Sequence, residues 1–322
     1  MPFRHRRIEV ACAVASMIAI AGLFASEARA DGDAPPPAPY SLPWQLRPAA
    51  AGTAVRADTI FAKYEDKFAN GGFTVAPTLL ASYKIPGTGE KWAGLAPLVR
   101  LAMVNDSPPK SIAAGGGFAF VNPLVGGTYA LDLGAGMRAS LFLGATIPIG
   151  MGGGDHPDAG LVDARSAGQW ARSQMDDSLF AVDDFALIPG VDFAWVGYGF
   201  TVQGEATLFQ LWRVRGAVAQ HEATKTNLTA GIHAGYFVIP ELSFGVDLRY
   251  QRWLNAPIPV DQNKPLTSVD TSTIAVGPRL HFKLGPGAAI HPGLAYARGL
   301  DKPMAGATWN YHVVQLDIPV TF

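Results

Sequence analysis

The stretch Val314-Gln315-Leu316-Asp317-Ile318-Pro319-Val320-Thr321-Phe322 closes the sequence and places an apolar side chain at every second position. Successive side chains of a β-strand point to opposite faces. Val314, Leu316, Ile318, Val320 and Phe322 therefore share one face, and Gln315 and Asp317 lie on the other. This alternation predicts a strand with one apolar face and one polar face.

The same alternation recurs upstream, most clearly over 242–250, 274–282, 228–236 and 137–145. Each run is long enough for a tilted strand that crosses a bilayer, and we count about twelve of them. The approximate spans are 54–64, 72–84, 94–104, 117–131, 137–149, 185–197, 199–212, 226–238, 241–253, 272–284, 287–298 and 310–322.

The composition favours the same class of protein. Hydrophobic residues make up 49% and charged residues 16% of the 322 residues. After the N-terminal region no apolar stretch reaches the roughly 18 residues of a spanning helix, so the apolar content must lie in strands. The only cysteine is Cys12, so a chain without its first residues would be held together by hydrogen bonds between strands and not by disulfides.

The connections between these runs alternate between short and long. Membrane barrels have an even number of antiparallel strands, with short turns at one end and long loops at the other. We therefore predict an all-β fold, a transmembrane up-and-down antiparallel β-barrel of about twelve strands with a partly helical long outer loop. The barrel is predicted to occupy residues 52–322.

The first residues have the pattern of an export signal. Basic residues at 4–7 precede an apolar stretch from Val10 to Ala25 and the small-residue pattern Ala28-Arg29-Ala30. This order is typical of a cleaved signal peptide, which we place at 1–30. An uncleaved membrane anchor is the alternative. Residues 31–51, rich in Pro and Ala, are expected to form a flexible periplasmic lead.

The end of the chain resembles the assembly signal of bacterial outer-membrane proteins, in which a terminal Phe follows alternating apolar residues. With the export signal, residues 52–322 resemble outer-membrane β-barrels. The resemblance implies three things: location in the bacterial outer membrane, lipid as surroundings, and recognition of the last strand by the barrel-assembly machinery. The N-terminus would be periplasmic and the long loops extracellular. The Gly-rich strands and the strand end Thr146-Ile147-Pro148-Ile149-Gly150 are somewhat similar to outer-membrane transport barrels of phenol-degradation (MetA-type) pathways, which would imply an aromatic solute.

If the apolar faces meet lipid, the other faces line the lumen, where charges are tolerated. These faces carry the candidate selectivity residues Arg100, Arg138, Asp192, Glu205, His233, Asp247, Arg249, Arg279, His281, Lys283, His291 and Asp317. Counted from the strand ends, Asp247 and Arg279 stand at similar heights, and His281 lies near His291.

Two interpretations of this charged interior stay open. The residues could form a selectivity surface in a water-filled pore, or a salt-bridge network that plugs a narrow barrel. Glycines on the lumen faces, such as Gly245 and Gly293, favour open space.

The longest predicted loop, 150–184, shows no strand alternation. The residues that stand at roughly helical spacing are Leu161, Ala164, Ala167, Trp170, Ala171 and Met175. We predict a loop helix that constricts the barrel mouth. The alternatives are a Ca²⁺ site on Asp176, Asp177 and the pair Asp183–Asp184, and a solvated surface loop.

Motifs for other functions are weak. His221-Glu222-Ala223-Thr224-Lys225 begins like a zinc-protease helix, but Lys225 replaces the second histidine. We predict no catalytic residues, no cofactor and no resident metal. The net charge of −1 gives no reason to expect a nucleic-acid partner.

The leading functional hypothesis is a passive, porin-like channel for small solutes of unknown identity. The rival is a closed barrel that acts as a surface anchor, adhesin or antigen through its predicted outer loops 150–184 and 254–271. An outer-membrane enzyme is the third and weakest hypothesis.

Overall fold

A computed structural model describes residues 40–66, 70–89, 93–109, 116–173, 176–216, 223–255, 269–300 and 309–322. The predicted signal peptide, the first part of the predicted lead and most of the predicted loop 254–271 lie outside these residues. The predicted cleavage site and the division at residue 52 stay predictions.

The described chain is almost entirely β-structure. The strands are β1 (Ala54–Asp66), β2 (Gly71–Ser82), β3 (Gly94–Ser107), β4 (Gly117–Phe120), β5 (Leu124–Gly134), β6 (Met137–Thr146), β7 (Asp184–Gly197), β8 (Phe200–Arg213), β9 (Thr224–Ile239), β10 (Leu242–Asn255), β11 (Asp270–Leu280), β12 (Phe282–Gly285), β13 (Ala288–Ile290), β14 (Gly293–Gly299) and β15 (Trp309–Thr321). The helices are α1 (Ala159–Ala171) and α2 (Asp177–Phe180).

These strands close into one barrel. Neighbours pair antiparallel in chain order, and β1 pairs with β15 from Ala54↔Thr321 to Asp66↔Trp309. Three short interruptions divide spanning strands, so that β4 with β5, β11 with β12, and β13 with β14 each form one crossing. The result is a closed barrel of twelve strands, which confirms the predicted fold class.

The barrel is polar inside and apolar outside, as the alternation predicted. In β10, Phe244, Val246 and Leu248 are exposed on the outer face, whereas Asp247 and Arg249 are buried. Exposed large apolar side chains cover most strands in the same way, which is the surface that a bilayer requires. Within the described ranges, no helix has the length and apolarity to cross a membrane.

The two ends of the barrel differ. Tight hairpins at 135–136, 198–199 and 240–241 lie at the end that also carries Phe322, which we call the turn end. The opposite end, the loop end, carries the connection 147–183 with α1 and α2. The side chain of Asp158 caps α1 by accepting a hydrogen bond from the amide of Leu161 (3.1 Å). The predicted helix in this connection is confirmed.

Candidate functional site

Residues 40–52, here called the inner segment, run inside the barrel. We expected a flexible lead, yet Tyr40, Trp44 and Leu46 are buried in the lumen. The Oδ2 atom of Asp247 accepts hydrogen bonds from the backbone amides of Trp44 (3.0 Å) and Gln45 (2.7 Å). One carboxylate on β10 thus accepts hydrogen bonds from two backbone amides that would otherwise have to bind water.

The carbonyl groups of the inner segment are bound by cationic side chains. Arg56 Nη2 donates to the carbonyls of Pro43 (3.0 Å) and Trp44 (2.9 Å), and Arg249 Nη1 donates to that of Gln45 (2.6 Å). The interior therefore recognises the backbone of this segment by its donors and acceptors.

Arginines also stack on the aromatic rings of the inner segment. The guanidinium carbon of Arg279 lies 4.2 Å from the ring centroid of Trp44, and that of Arg138 lies 5.4 Å from the ring of Tyr40. Cation–π contacts that are shielded from water stabilise such pairs. They help to hold two of the larger side chains of the segment against the wall.

Glycines make room for the inner segment. A Cβ atom at Gly235 would lie 2.2 Å from Ser41 Oγ, and one at Gly293 would lie 2.4 Å from a ring carbon of Trp44. We expected lumen glycines such as Gly293 to leave open space. The structure instead fills the space beside Gly293 with part of the chain itself.

Gly235→Ala is expected to loosen the inner segment and to lower the free energy of unfolding by about 1–3 kcal/mol, because the new methyl group overlaps Ser41. Gly204→Ala is the matched control, since a Cβ there has no atom closer than 4.0 Å. Guanidinium unfolding in detergent, followed by heat-modifiable gel mobility, measures both. Equal losses in the two variants would contradict the packing explanation.

The loop end is closed by α1 and α2. Arg172, the residue after α1, donates through Nη2 to Asp58 on β1 (2.8 Å) and through Nε to Asp176 (2.6 Å). Arg100 on β3 binds the two oxygens of Asp176 at 2.7 and 2.9 Å. Four charges thus pin this connection inside the barrel. Because Asp176 is engaged by two arginines, it is poorly placed for the Ca²⁺ alternative.

Apolar packing completes this closure. Leu179 and Phe180 of α2 are buried with Val104 on β3 and Val121 beside β4. The predicted constricting loop therefore does fold inward. Across the described ranges, no group of three or more His, Cys, Asp or Glu side chains is arranged to hold a metal ion.

Asp177, at the start of α2, carries a perturbed carboxyl group. Burial raises its pKa from 3.8 to about 8, the charge of Asp176 adds to the rise, and a hydrogen bond from Gln169 Nε2 to Asp177 Oδ1 (2.7 Å) opposes it. This carboxyl therefore keeps its proton in the folded protein well above the pKa of a free aspartate.

The stability of the α2 closure is expected to fall as pH rises from about 4 to about 8. In this window the folded state binds a proton on Asp177 that the unfolded state has lost, so unfolding becomes easier with pH. Asp177→Asn removes this dependence. Unfolding curves of both proteins at several pH values measure it, and a stability difference that stays constant with pH would contradict the assignment.

A cavity separates the two closures. It has a volume of about 210 Å³, far above the roughly 10–15 Å³ that one water needs. Leu46, Phe142 and Phe209 contribute an apolar wall, and Asp58 and Arg249 contribute polar groups. The cavity thus lies between two inward-folded segments, and its lining extends to Ala54, Ser82 and Thr321 at the turn end.

The twelve candidate lumen residues are distributed as follows. Arg138, Asp192, Glu205, His233, Asp247, Arg249, Arg279 and Asp317 are buried inside, Arg100, His281 and His291 are partly buried inside, and Lys283 is exposed on β12 beside a hairpin of the turn end. Lys283 is therefore not placed to line the lumen, because β12 lies beyond the packed part of the interior.

Of the two expected pairs of neighbours, His281 and His291 are in contact, whereas Asp247 and Arg279 do not bind each other. The His281 and His291 rings have Nδ1 atoms 2.9 Å apart. Arg279 does not bind Asp247 but donates to Asp317 Oδ2 (2.6 Å), and Arg56 donates to the other oxygen of Asp317 (2.7 Å). Arg56 and Asp58 were missed, although they share the inner face of β1 and its alternation could have identified them.

The residues of the predicted assembly signal keep their predicted face. Val314, Leu316, Ile318 and Val320 point outward along β15, and Gln315 and Asp317 are buried inside. Phe322 donates its amide hydrogen to the carbonyl of Thr53 (3.0 Å). Recognition by the assembly machinery stays a prediction.

The fold is similar to that of bacterial outer-membrane barrels. An outer membrane channel from Pseudomonas putida F1 matches with a TM-score of 0.54 and 12% identity, over 90% of this chain and 100% of that chain. The NanC porin matches over 83% of this chain and 98% of that one, with a TM-score of 0.46 and 10% identity. No family model matches the sequence, and no curated protein is similar to it at a significant level. At these identities the similarity establishes the fold alone.

Proposed function

We propose that this chain is a channel for small solutes in the bacterial outer membrane, held closed by the inner segment at one end and by α1 and α2 at the other. The observation that carries this proposal is the cavity of about 210 Å³ inside the barrel, which lies between the two closures and reaches the turn end beside the inner segment. A barrel that served only as an anchor would have no need of a chamber in its interior.

The way in which the closures are held supports a channel. Besides the burial of Trp44 and Leu46, the inner segment is bound through polar contacts to its backbone, and α1 is bound through the ion pairs of Arg172. Such contacts can be exchanged for contacts with water or solute at little net free energy. Both segments can therefore move aside without breaking the barrel wall.

The cavity lining indicates the kind of solute. The walls are largely apolar, and Asp58 Oδ1 is a buried acceptor without a hydrogen-bond donor. A small molecule with an apolar body and one donor, such as a hydroxyl group, would satisfy that atom. Water-excluding walls with few placed polar groups are typical of small-molecule sites.

A second candidate function is a closed surface anchor, adhesin or antigen. The filled lumen favours it, because buried ion pairs such as Arg279–Asp317 (2.6 Å) also suit a permanently plugged barrel. Against it, the helical part of the connection 147–183 folds into the barrel, which leaves mainly its first part, with 155–159, exposed for adhesion. Most of the other candidate loop, 254–271, lies outside the described residues.

Single-channel conductance in a planar bilayer tests the proposal. A chain that lacks residues 40–52 is expected to show larger conductance steps than the wild type, because the turn end is then open. A chain that lacks only residues 31–39 is the matched control and should behave as the wild type. Silence from both deletion variants, each shown to be folded by heat-modifiable mobility, would favour the anchor.

A further inference from the structure

The side chain of Arg47, in the inner segment, is held by the barrel wall of β6, β7 and β8. Its guanidinium carbon lies 4.5 Å from the centroid of the Phe142 ring. Nη1 donates a hydrogen bond to Thr207 Oγ1 (2.7 Å), and Nη2 donates to Asp192 Oδ1 (3.4 Å). The backbone amide of Arg47 donates to Glu205 Oε2 (2.6 Å), and Glu205 Oε1 lies 3.5 Å from Nη1. An aromatic ring, a hydroxyl group and two carboxylates of the wall, here called the cation site, thus surround one planar cation.

The wall by itself leaves this site short of positive charge. Asp192 and Glu205 are directly paired across β7 and β8, and both are buried. Adjacent carboxylates that are shielded from water stay ionised only beside a cation. Among the described residues of the wall, only Arg249 forms an ion pair with either of them, at 3.9 Å from Glu205. A Cβ atom at Gly190 would lie 2.5 Å from Arg47 Nη2, so this glycine leaves room for the guanidinium group.

Arg47 fits the cation site poorly. Its ion pairs with Asp192 and Glu205 measure 3.4 and 3.5 Å, whereas Arg279 and Asp317 approach to 2.6 Å. Charge-assisted hydrogen bonds between nitrogen and oxygen are usually about 2.7–2.9 Å long. The Nε atom of Arg47 is also buried without a hydrogen-bond partner among the described residues. Because a free cation is not tethered to the inner segment, it can approach both carboxylates more closely.

The cation site adjoins the central cavity. Phe142, Glu205 and Arg47 itself line that cavity. A solute in the cavity therefore meets the cation site as soon as the side chain of Arg47 moves away. Leu46 and Phe209, which also line the cavity, would then contact an apolar part of the same solute.

We propose that the cation site binds the head group of an organic cation of the guanidinium or amidinium type with an apolar body, and that Arg47 occupies the site as a tethered competitor in the closed channel. The proposal rests on the proposed channel function and names its class of solute. A planar head group is favoured over an ammonium group because its fork of donors can reach two carboxylates at once and its face can stack on an aromatic ring. Such a solute displaces the Arg47 side chain and thereby weakens the attachment of the inner segment.

Isothermal titration calorimetry of the chain without residues 1–30, folded in detergent, tests the site with benzamidine, an amidinium group on an apolar ring. Benzamide is the matched ligand, because it has nearly the same shape and no charge. Arg47→Ala is expected to bind benzamidine at least about tenfold more tightly than the wild type, because the competing side chain is gone. The affinity for benzamide should gain nothing from this substitution.

The carboxylates are tested in the Arg47→Ala background. Adding Asp192→Asn keeps the side-chain volume and removes a charge, so that benzamidine should bind at least about tenfold more weakly, since a charge-assisted hydrogen bond becomes a neutral one. Asp106→Asn is the matched control, because Asp106 is a buried carboxylate on β3 that accepts a hydrogen bond from Thr74 (2.7 Å) and does not line the cavity. It should leave the affinity unchanged.

Two results would overturn the proposal. One is an Arg47→Ala protein that binds benzamidine no more tightly than the wild type does. The other is a gain in affinity that is equally large for benzamide, or that survives Asp192→Asn. If Arg47→Ala does not fold, Arg47→Gln, which keeps a flat polar end without the charge, carries the same test.

Planar-bilayer recordings separate this inference from the channel function. The chain that lacks residues 40–52 leaves the cation site empty, and benzamidine should reduce its conductance in a saturable way. A conducting chain that benzamidine does not affect would refute the cation site and leave the channel standing. Benzamidine binding to Arg47→Ala without conductance in any variant would refute the channel and leave the cation site standing.

Discussion

Asp247→Ala is expected to release the inner segment and to lower the free energy of unfolding by about 3–5 kcal/mol, because it leaves buried partners of a charged group without their acceptor. The carboxylate is fully buried and holds the amides of Trp44 and Gln45 through one oxygen. Its other oxygen lies 2.6 Å from His233 Nδ1. Three donors lose their acceptor at once, and single-channel conductance should rise with the loss of stability.

The control for this substitution is Glu65→Ala. Glu65 is paired with Lys63 on the surface (2.8 Å), where a salt bridge contributes at most about 1 kcal/mol. Guanidinium unfolding of both variants in detergent gives the stability difference, and planar-bilayer recordings give the conductance. A conductance that stays at the wild-type level while the stability falls would show that the inner segment does not limit passage.

Arg172→Ala is expected to have a comparable effect at the opposite end, with a loss of about 3–5 kcal/mol, since it leaves Asp58 buried without its cation. Asp176 would keep only Arg100. The repulsion between the carboxylates and the lost link to β1 should free α1 from the lumen. We expect larger conductance and faster protease cleavage within 147–183.

The matched control here is Arg252→Ala, which removes an exposed arginine paired with Asp270 (3.4 Å). It should change stability by no more than about 1 kcal/mol and leave conductance unchanged. Protease protection of 147–183 in Arg172→Ala equal to that of the wild type would mean that the apolar contacts of α2 hold this connection without the ion pairs. The combined variant Arg172→Ala with Asp247→Ala should then conduct no better than Asp247→Ala alone.

Much of the barrel could be predicted from residue order. Strand alternation is a local property, because adjacent side chains must face lipid and lumen in turn. It assigned Asp247, Arg249 and Asp317 to the inner face and Val314 to the outer face, and all four lie there. It failed at Lys283, because alternation gives the side of the sheet but not where the packed interior ends.

The closures could be predicted only in part. The helical spacing of Ala164, Ala167 and Ala171 indicated a helix in 150–184, but not that Arg172 would find Asp58 in another part of the barrel wall. The position of the inner segment could not be predicted from the sequence. Asp247 and Arg56 bind its backbone amides and carbonyls, and these groups are the same in every residue except proline.

The sequence by itself determined the class of fold, the faces of the strands and the charged interior, since each follows from contacts between residues close along the chain. Only the tertiary structure decided what fills that interior. Closing β1 onto β15 brings Tyr40 and Trp44 into contact with strands more than 150 residues away in the sequence. Glycines and carboxylates on those strands then form the binding site of the inner segment. Whether a lumen is open or occupied depends on such long-range partners, and no local pattern encodes them.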